Sequence, residues 1–260
     1  KRNIAFYKNI GGEPSRLNPI GSSDGYTWAV RDFVYETLLT DTVDSLDWHP
    51  KLATNWEVSE DKSKFIFHLR PGVVWSDGTP FTAEDVKFSF DILFQDKFNT
   101  VTTRAFFEDI KEINIIDPLT VEVVAKNNNY KNFDVIAGTL KIFPKHFYSQ
   151  DKKKSFFNKN LLGTGPYKLD YYARGSRIVL VKNPLWWGYK IKGQEEHNFE
   201  KVVLRFVGDK NVSLEMFKKG SLDLIGMSPD VYMKRAVGPE WGKTVHKVKT
   251  QNKDKKGAAF

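Results

Sequence analysis

The 260-residue chain predicts a mixed α/β (α+β) fold, and three observations carry that prediction. Some segments alternate apolar and polar residues with period two, as in Phe65, Phe67 and Leu69 against Ile66, His68 and Arg70; this marks half-buried strands. Other segments place apolar residues at i, i+3, i+4 and i+7, the mark of amphipathic helices. The two kinds interleave along the chain, separated by Gly and Pro turns, with no repeat of 20–50 residues that would make a solenoid.

In chain order, Ile4 to Ile10 reads as a first strand, ended by Gly11, Gly12, Glu13 and Pro14. A Gly- and Ser-rich loop from Pro19 to Gly25 follows. Asp24 then caps a helix predicted from Tyr26 to Leu39, whose apolar face is Val30, Phe33, Val34, Thr37 and Leu38. After the strand around Phe65–Leu69, Pro71-Gly72 turns the chain, and Ser76 to Pro80 turns it again. Thr82, followed by Glu84 and Asp85, opens a second helix with Val86, Phe90, Leu93 and Phe94 on one face. A strand is predicted at Thr120–Ala125 after the Asp117-Pro118 turn. Further strands are predicted at Ile178–Val181 and Val202–Val207, with a helix Val212–Lys219 capped by Asn211 and stopped by Gly220, and a short strand Leu222–Ile225.

Composition narrows the class. With 40% hydrophobic and 14% aromatic residues the chain is a folded globular one. It holds no apolar run of about 18 residues. Cysteine is absent, which removes disulfides, thiolate catalysis and cysteine zinc sites. The net charge is +8. The excess sits in lysine clusters, Lys152, Lys153 and Lys154, then Lys243, Lys247, Lys249, Lys253, Lys255 and Lys256, in loop-like or terminal sequence. That pattern reads as a solvated surface and argues against a nucleic-acid partner, which remains the distant rival; heparin retention with a steep salt slope would favour it.

Catalytic constellations are missing. His49, His68, His146, His197 and His246 are far apart, and none has the i, i+4 partner of a zinc-binding helix. There is no G-x-S-x-G elbow. Gly163-Thr164-Gly165 has Pro166 where a phosphate-binding helix would open. Asp77 and Asp85 are explained by turn and cap roles. The sequence therefore implies no catalytic residue, no metal and no cofactor. The positive signal is aromatic: Trp28, Trp48, Trp56, Trp75, Trp186, Trp187 and Trp241 fall mostly near element ends, where they seal edges or line a cleft for an extended, partly apolar ligand.

Several segments, taken together and in order, resemble one family: the extracellular solute-binding proteins of peptide-type ABC importers (family 5), the dipeptide, oligopeptide and nickel-binding receptors. Gly12 to Pro19 resembles its "EP-x-x-L-x-P" start, and Val34 to Leu39 its "VYEGLL" segment. Pro50 to Ser59 resembles "P-x-LA-x-SWEVS". Phe67 to Val86 follows the family signature throughout, Gly163 to Tyr167 is its "GTGPY" loop, and Phe217 to Asp223 resembles "L-x-x-GE-x-D".

The resemblance implies a periplasmic binding protein-like lobe. Residues 1–40 and 166–260 would form its body around a mixed sheet, and residues 41–165 an inserted α+β subdomain. Family members are about twice as long, so the chain is expected to be the first lobe without its return segment, the second lobe being absent. The implied function is capture of a peptide or a similar small solute by hinge closure and delivery to a membrane permease, with nickel chelates, oligosaccharides or modified peptides as alternatives on the same fold. The implied location is periplasmic, or the cell surface as a lipoprotein in a Gram-positive. By resemblance Ser22, Ser23, Asp24, Gly25 and Tyr26 face the ligand, Trp28 adds an apolar wall, and Phe106 adds a third contact from the subdomain.

Overall fold

The computed structural model describes residues 5–22, 24–41, 47–191 and 197–235. The described strands are β1 Ala5–Asn9, β2 Leu39–Asp41, β3 Trp48–Pro50, β4 Ala53–Val58, β5 Lys64–Leu69, β6 Ile110–Asp117, β7 Thr120–Ala125, β8 Tyr167–Ala173, β9 Arg177–Lys182 and β10 Lys201–Arg205. The described α-helices are α1 Gly25–Val34, α2 Ala83–Asp91, α3 Val101–Arg104, α4 Lys131–Asp134, α5 Lys145–Tyr148, α6 Lys154–Phe157, α7 Lys210–Lys218 and α8 Pro229–Lys234. The described residues form two compact units, one drawn from 1–13, 170–180 and 199–260, the other from 14–169 and 181–198.

The first unit is built on a four-stranded sheet of order β1-β10-β9-β8. β1 runs parallel to β10, from Ala5 opposite Lys201 to Asn9 opposite Arg205. β8 and β9 are joined by only three residues, which demands an antiparallel hairpin, so the sheet is mixed. The Asn9 side chain ties the end of β1 to α7: its amide donates to the Val207 carbonyl at 3.0 Å and to Ser213 Oγ at 2.9 Å. Asp209, two residues before the predicted Asn211, caps α7 and accepts from the Asn211 and Val212 amides. Gly220, with φ +70°, ends that helix as predicted. The predicted strand Leu222–Ile225 shrinks to a single bridge between Lys8 and Leu224, because Asp223 diverts its carboxylate to the Tyr7 amide at 2.7 Å.

The second unit carries an antiparallel sheet of order β4-β5-β7-β6. β5 shows the predicted alternation, with Phe65, Phe67 and Leu69 inside. With Val121 and Val123 of β7 and Val86 and Phe90 of α2, these residues form a continuous core. Asp85 reaches back to the Thr82 amide at 3.0 Å, the predicted start of α2. The helix then tightens to a 3₁₀ turn at Ile92–Phe94, which turns Phe94 out to solvent instead of onto the predicted face. α1 also stops early. Tyr35 is extended (φ −115°, ψ 143°), and Tyr35, Glu36, Thr37, Leu38 and Leu39 are all buried as the chain runs into β2.

Candidate functional site

The loop before α1 is anchored from below. Leu17, Asn18 and Ile20 are buried, and Asn18 Oδ1 accepts from the Ile20 amide at 3.1 Å. Gly21 adopts φ +70°, and a Cβ there would collide with the Asn99 carbonyl, so only glycine fits this close approach. Ser22 is buried and its carbonyl accepts from Trp28 Nε1 at 2.9 Å, which fixes the indole across the loop. Ser23 lies outside the described residues.

Asp24 caps α1 as the sequence predicts, and it does more. Oδ1 accepts from the Tyr26 amide at 2.8 Å, while Oδ2 accepts from the Ser15 amide at 2.7 Å, with Thr27 Oγ1 3.4 Å away. Partial burial pushes this carboxyl up, but the donors outweigh it and hold the group below the usual aspartate range. Thr27, fully buried, also donates to the Arg16 carbonyl at 2.7 Å. The loop is therefore cross-linked at both ends. What it presents outward is aromatic: Tyr26 and Trp28 are each 43% exposed, Gly25 has open space around it, and the Arg31 guanidinium stands 5.4 Å from the Trp28 ring centre.

Ser22, Asp24, Gly25, Tyr26 and Trp28 thus come together on one braced segment. Phe106 stands on a different element, the 3₁₀ turn Ala105–Phe107, and is 63% exposed. No hydrogen bond or ring contact joins it to the loop among the described residues. The two segments do meet one step away, where Gly21 packs on Asn99 just before α3.

Two other polar constellations are internal. Trp75, fully buried, donates its indole N–H to Asp85 Oδ2 at 3.2 Å, and Asp85 Oδ1 accepts from the Lys145 amide at 2.8 Å. Burial pushes the Asp85 carboxyl above its usual range despite these donors. Sequence reasoning missed the second. Glu36, inside the predicted helix, is 1% exposed and accepts from Trp186 Nε1 at 3.1 Å and Trp187 Nε1 at 2.8 Å. Arg70 lies 4.2 Å over the Trp187 ring. The paired Trp186-Trp187 and the acid in an apolar run were the available signals. The Gly163-Thr164-Gly165 segment is a packing device. A Cβ at Gly163 or Gly165 would run into the Val34 carbonyl, which accepts from the Gly165 amide at 2.9 Å.

The comparisons with known proteins agree with this architecture. Residues 47–250 match the model of the bacterial extracellular solute-binding proteins, family 5, and the chain belongs to that family. The probable D,D-dipeptide-binding periplasmic protein of Escherichia coli K12 is 29% identical over 225 residues, covering 84% of this chain and 42% of the relative. The substrate-binding protein CtaP of Listeria monocytogenes has 27% identity and a TM-score of 0.77 over 89% of this chain and 46% of its own. NikZ of Campylobacter jejuni, solved in complex with Ni(L-His), has 26% identity and a TM-score of 0.72 over 86% of this chain and 43% of its own. The chain spans less than half the length of each. No helix among the described residues is long and apolar enough to cross a membrane.

Proposed function

We propose that this chain carries one wall of the solute site of an ABC-import receptor, with a peptide or similar small solute as its ligand. The receptor works outside the cytoplasm, in the periplasm or tethered to the cell surface, and hands its cargo to a membrane permease. The role is binding without chemistry, needing no metal or cofactor of its own. Membership of the solute-binding family supports this reading, as do a D,D-dipeptide-binding relative and a structural neighbour holding a histidine chelate of nickel.

The single observation that carries the site is the braced loop at the start of α1. Gly25 and Tyr26 face the solute, Asp24 and the buried Ser22 hold them in place, Trp28 forms an apolar wall, and Phe106 closes in from the subdomain. A rigid loop with two half-exposed aromatic rings offers broad contact to an extended ligand at small cost in side-chain entropy. The first-turn amide of Tyr26 is already taken by Asp24. Recognition at this wall therefore rests on the rings and on the loop backbone. In this reading residues 1–40 and 166–260 make the lobe body and residues 41–165 the inserted subdomain, whose core is the β4-β5-β7-β6 sheet.

The test is a titration of the chain with a dipeptide library, followed by heteronuclear NMR. Saturable shifts at Gly25, Tyr26 and the Trp28 indole, lost in Trp28→Ala, are the expected result. Saturable binding that leaves these resonances still would overturn the assignment.

A further inference from the structure

A cleft opens beside the root of the same loop. It measures about 270 Å³ and is lined by Gln95, Asp96, Asn99, Thr100, Arg104 and Lys154, with Phe98 and Val101 completing the wall. Two cations from separate elements converge on it, Arg104 at the end of α3 and Lys154 at the start of α6. Neither makes an ion pair or a side-chain hydrogen bond among the described residues, unlike Lys87, Lys141 and Lys145, which are paired with Asp91, Asp32 and Glu84. Asp96 is the one carboxylate among the described residues of the wall. The neighbouring Lys97 is occupied, donating to the Tyr148 and Gln150 carbonyls at 2.7 Å each. Lys152 and Lys153 stand exposed immediately before α6 and add to the positive field.

The placement matters as much as the charge. The Gly21 backbone is pressed on Asn99, so this cleft flanks the loop that carries Tyr26 and Trp28. The floor is well fixed. Thr100 is buried and its hydroxyl donates to the Leu93 carbonyl at 2.6 Å, while the Arg104 amide closes the turn on the Thr100 carbonyl at 2.8 Å. A guanidinium with its fork uncommitted, an ammonium on the same wall and the side-chain amides of Asn99 and Gln95 together make a donor set for one small oxyanion. The volume admits a carboxylate- or phosphate-sized group with a short tail.

We propose that this cleft is an anion subsite, holding a carboxylate or phosphate group of the solute through Arg104 and Lys154, and that it biases the receptor toward acidic solutes. Asp96 faces a donor on the same ligand, an ammonium or hydroxyl. This rests on the reading that the Ser22–Trp28 loop faces solute, and the two can fail separately.

The experiment follows the amides of Asn99 and Thr100 and the Arg104 Nε–H by NMR in the 260-residue chain. The probes are inorganic phosphate and two C-terminally amidated dipeptides, Ala-Asp, whose side chain is its one carboxylate, and its isostere Ala-Asn, which has none. Saturable shifts with phosphate and with Ala-Asp, and about tenfold or weaker binding of Ala-Asn, are expected. Arg104→Gln and Lys154→Gln each lower the Ala-Asp affinity severalfold and leave Ala-Asn unchanged. Lys62→Gln with Lys126→Gln removes two exposed lysines that do not line the cleft and has no effect. Non-saturating shifts, equal affinity for the two dipeptides, or indifference to both cleft substitutions would overturn the subsite. A phosphate response without any dipeptide response places the subsite's ligand among phosphorylated solutes. If Trp28→Ala abolishes solute binding while Arg104→Gln does not alter selectivity, the receptor reading survives and this inference alone falls.

Discussion

Two helix starts in the same compact unit use the same parts to opposite ends. At α1 an aspartate cap, Asp24, sits four residues before a tryptophan, Trp28, whose indole is tied to the loop by one hydrogen bond. At α2 an aspartate, Asp85, binds a tryptophan, Trp75, and the Thr82 amide. The difference is exposure: Trp28 is 43% exposed and Trp75 is 0% exposed. The carboxyls diverge with it. Asp24 is held below the usual range, Asp85 is pushed above it by burial. A buried constellation spends its hydrogen bonds on holding segments together, whereas an exposed one with the same bonds has a face left for a ligand. The largest substitution effects on stability should therefore fall at α2 and the largest effects on binding at α1.

Trp75→Ala breaks the scaffold side most severely. It empties a fully enclosed site in the core and is expected to cost about 3–5 kcal/mol, read by chemical denaturation. Next comes Asp85→Ala, which leaves the Trp75 indole N–H and the Thr82 and Lys145 amides without their acceptor. A loss of about 2–3 kcal/mol is expected, with solute binding of the surviving folded fraction unchanged. Asp24→Ala removes an exposed-side cap and should cost only about 1 kcal/mol.

The smallest effect, and the sharpest contrast, is in pH dependence. Asp24 has a folded-state pKa below its unfolded value, so its contribution is present above about pH 4 and is lost as pH falls through the folded pKa. Asp85 has a raised folded-state pKa, so its ionisation weakens the fold above that pKa and the penalty is relieved as pH falls. Asp24→Asn should flatten the acid-side decline of stability, while Asp85→Asn should remove a slope of the opposite sign. Melting temperatures of both variants between pH 3 and 7 check this. Slopes of the same sign would erase the distinction between the two aspartates.

Much of this architecture was legible in the sequence where one period dominated. β5 and β7 alternate cleanly, and Asp24, Thr82 and Gly220 punctuate the helices as their chemistry requires. The reading failed where burial was not one-sided. Tyr35 to Leu39 are buried, so their apolar spacing mimics a helix face although Tyr35 is already extended and Leu39 opens β2. β4 is mostly exposed and β6 carries register shifts between Ile110 and Glu112 and between Ile115 and Asp117, so neither shows a period of two. Asp209 competed with Asn211 for the α7 cap and won because its carboxylate meets two amides at once. The candidate site was legible only through resemblance. Nothing in local periodicity distinguishes the cap at Asp24 from the cap at Thr82; only the burial of the attached tryptophan does, and that depends on residues far along the chain.

That distinction can be measured directly by fluorine NMR of the chain labelled with 5-fluorotryptophan, the Trp28 and Trp75 signals being assigned with Trp28→Phe and Trp75→Phe. Titration with a dipeptide that binds should move the Trp28 resonance along a saturating curve and leave Trp75 in place. A still Trp28 beside a saturating shift at Trp75 would contradict the account, because it would put the solute at the scaffold and not at the loop.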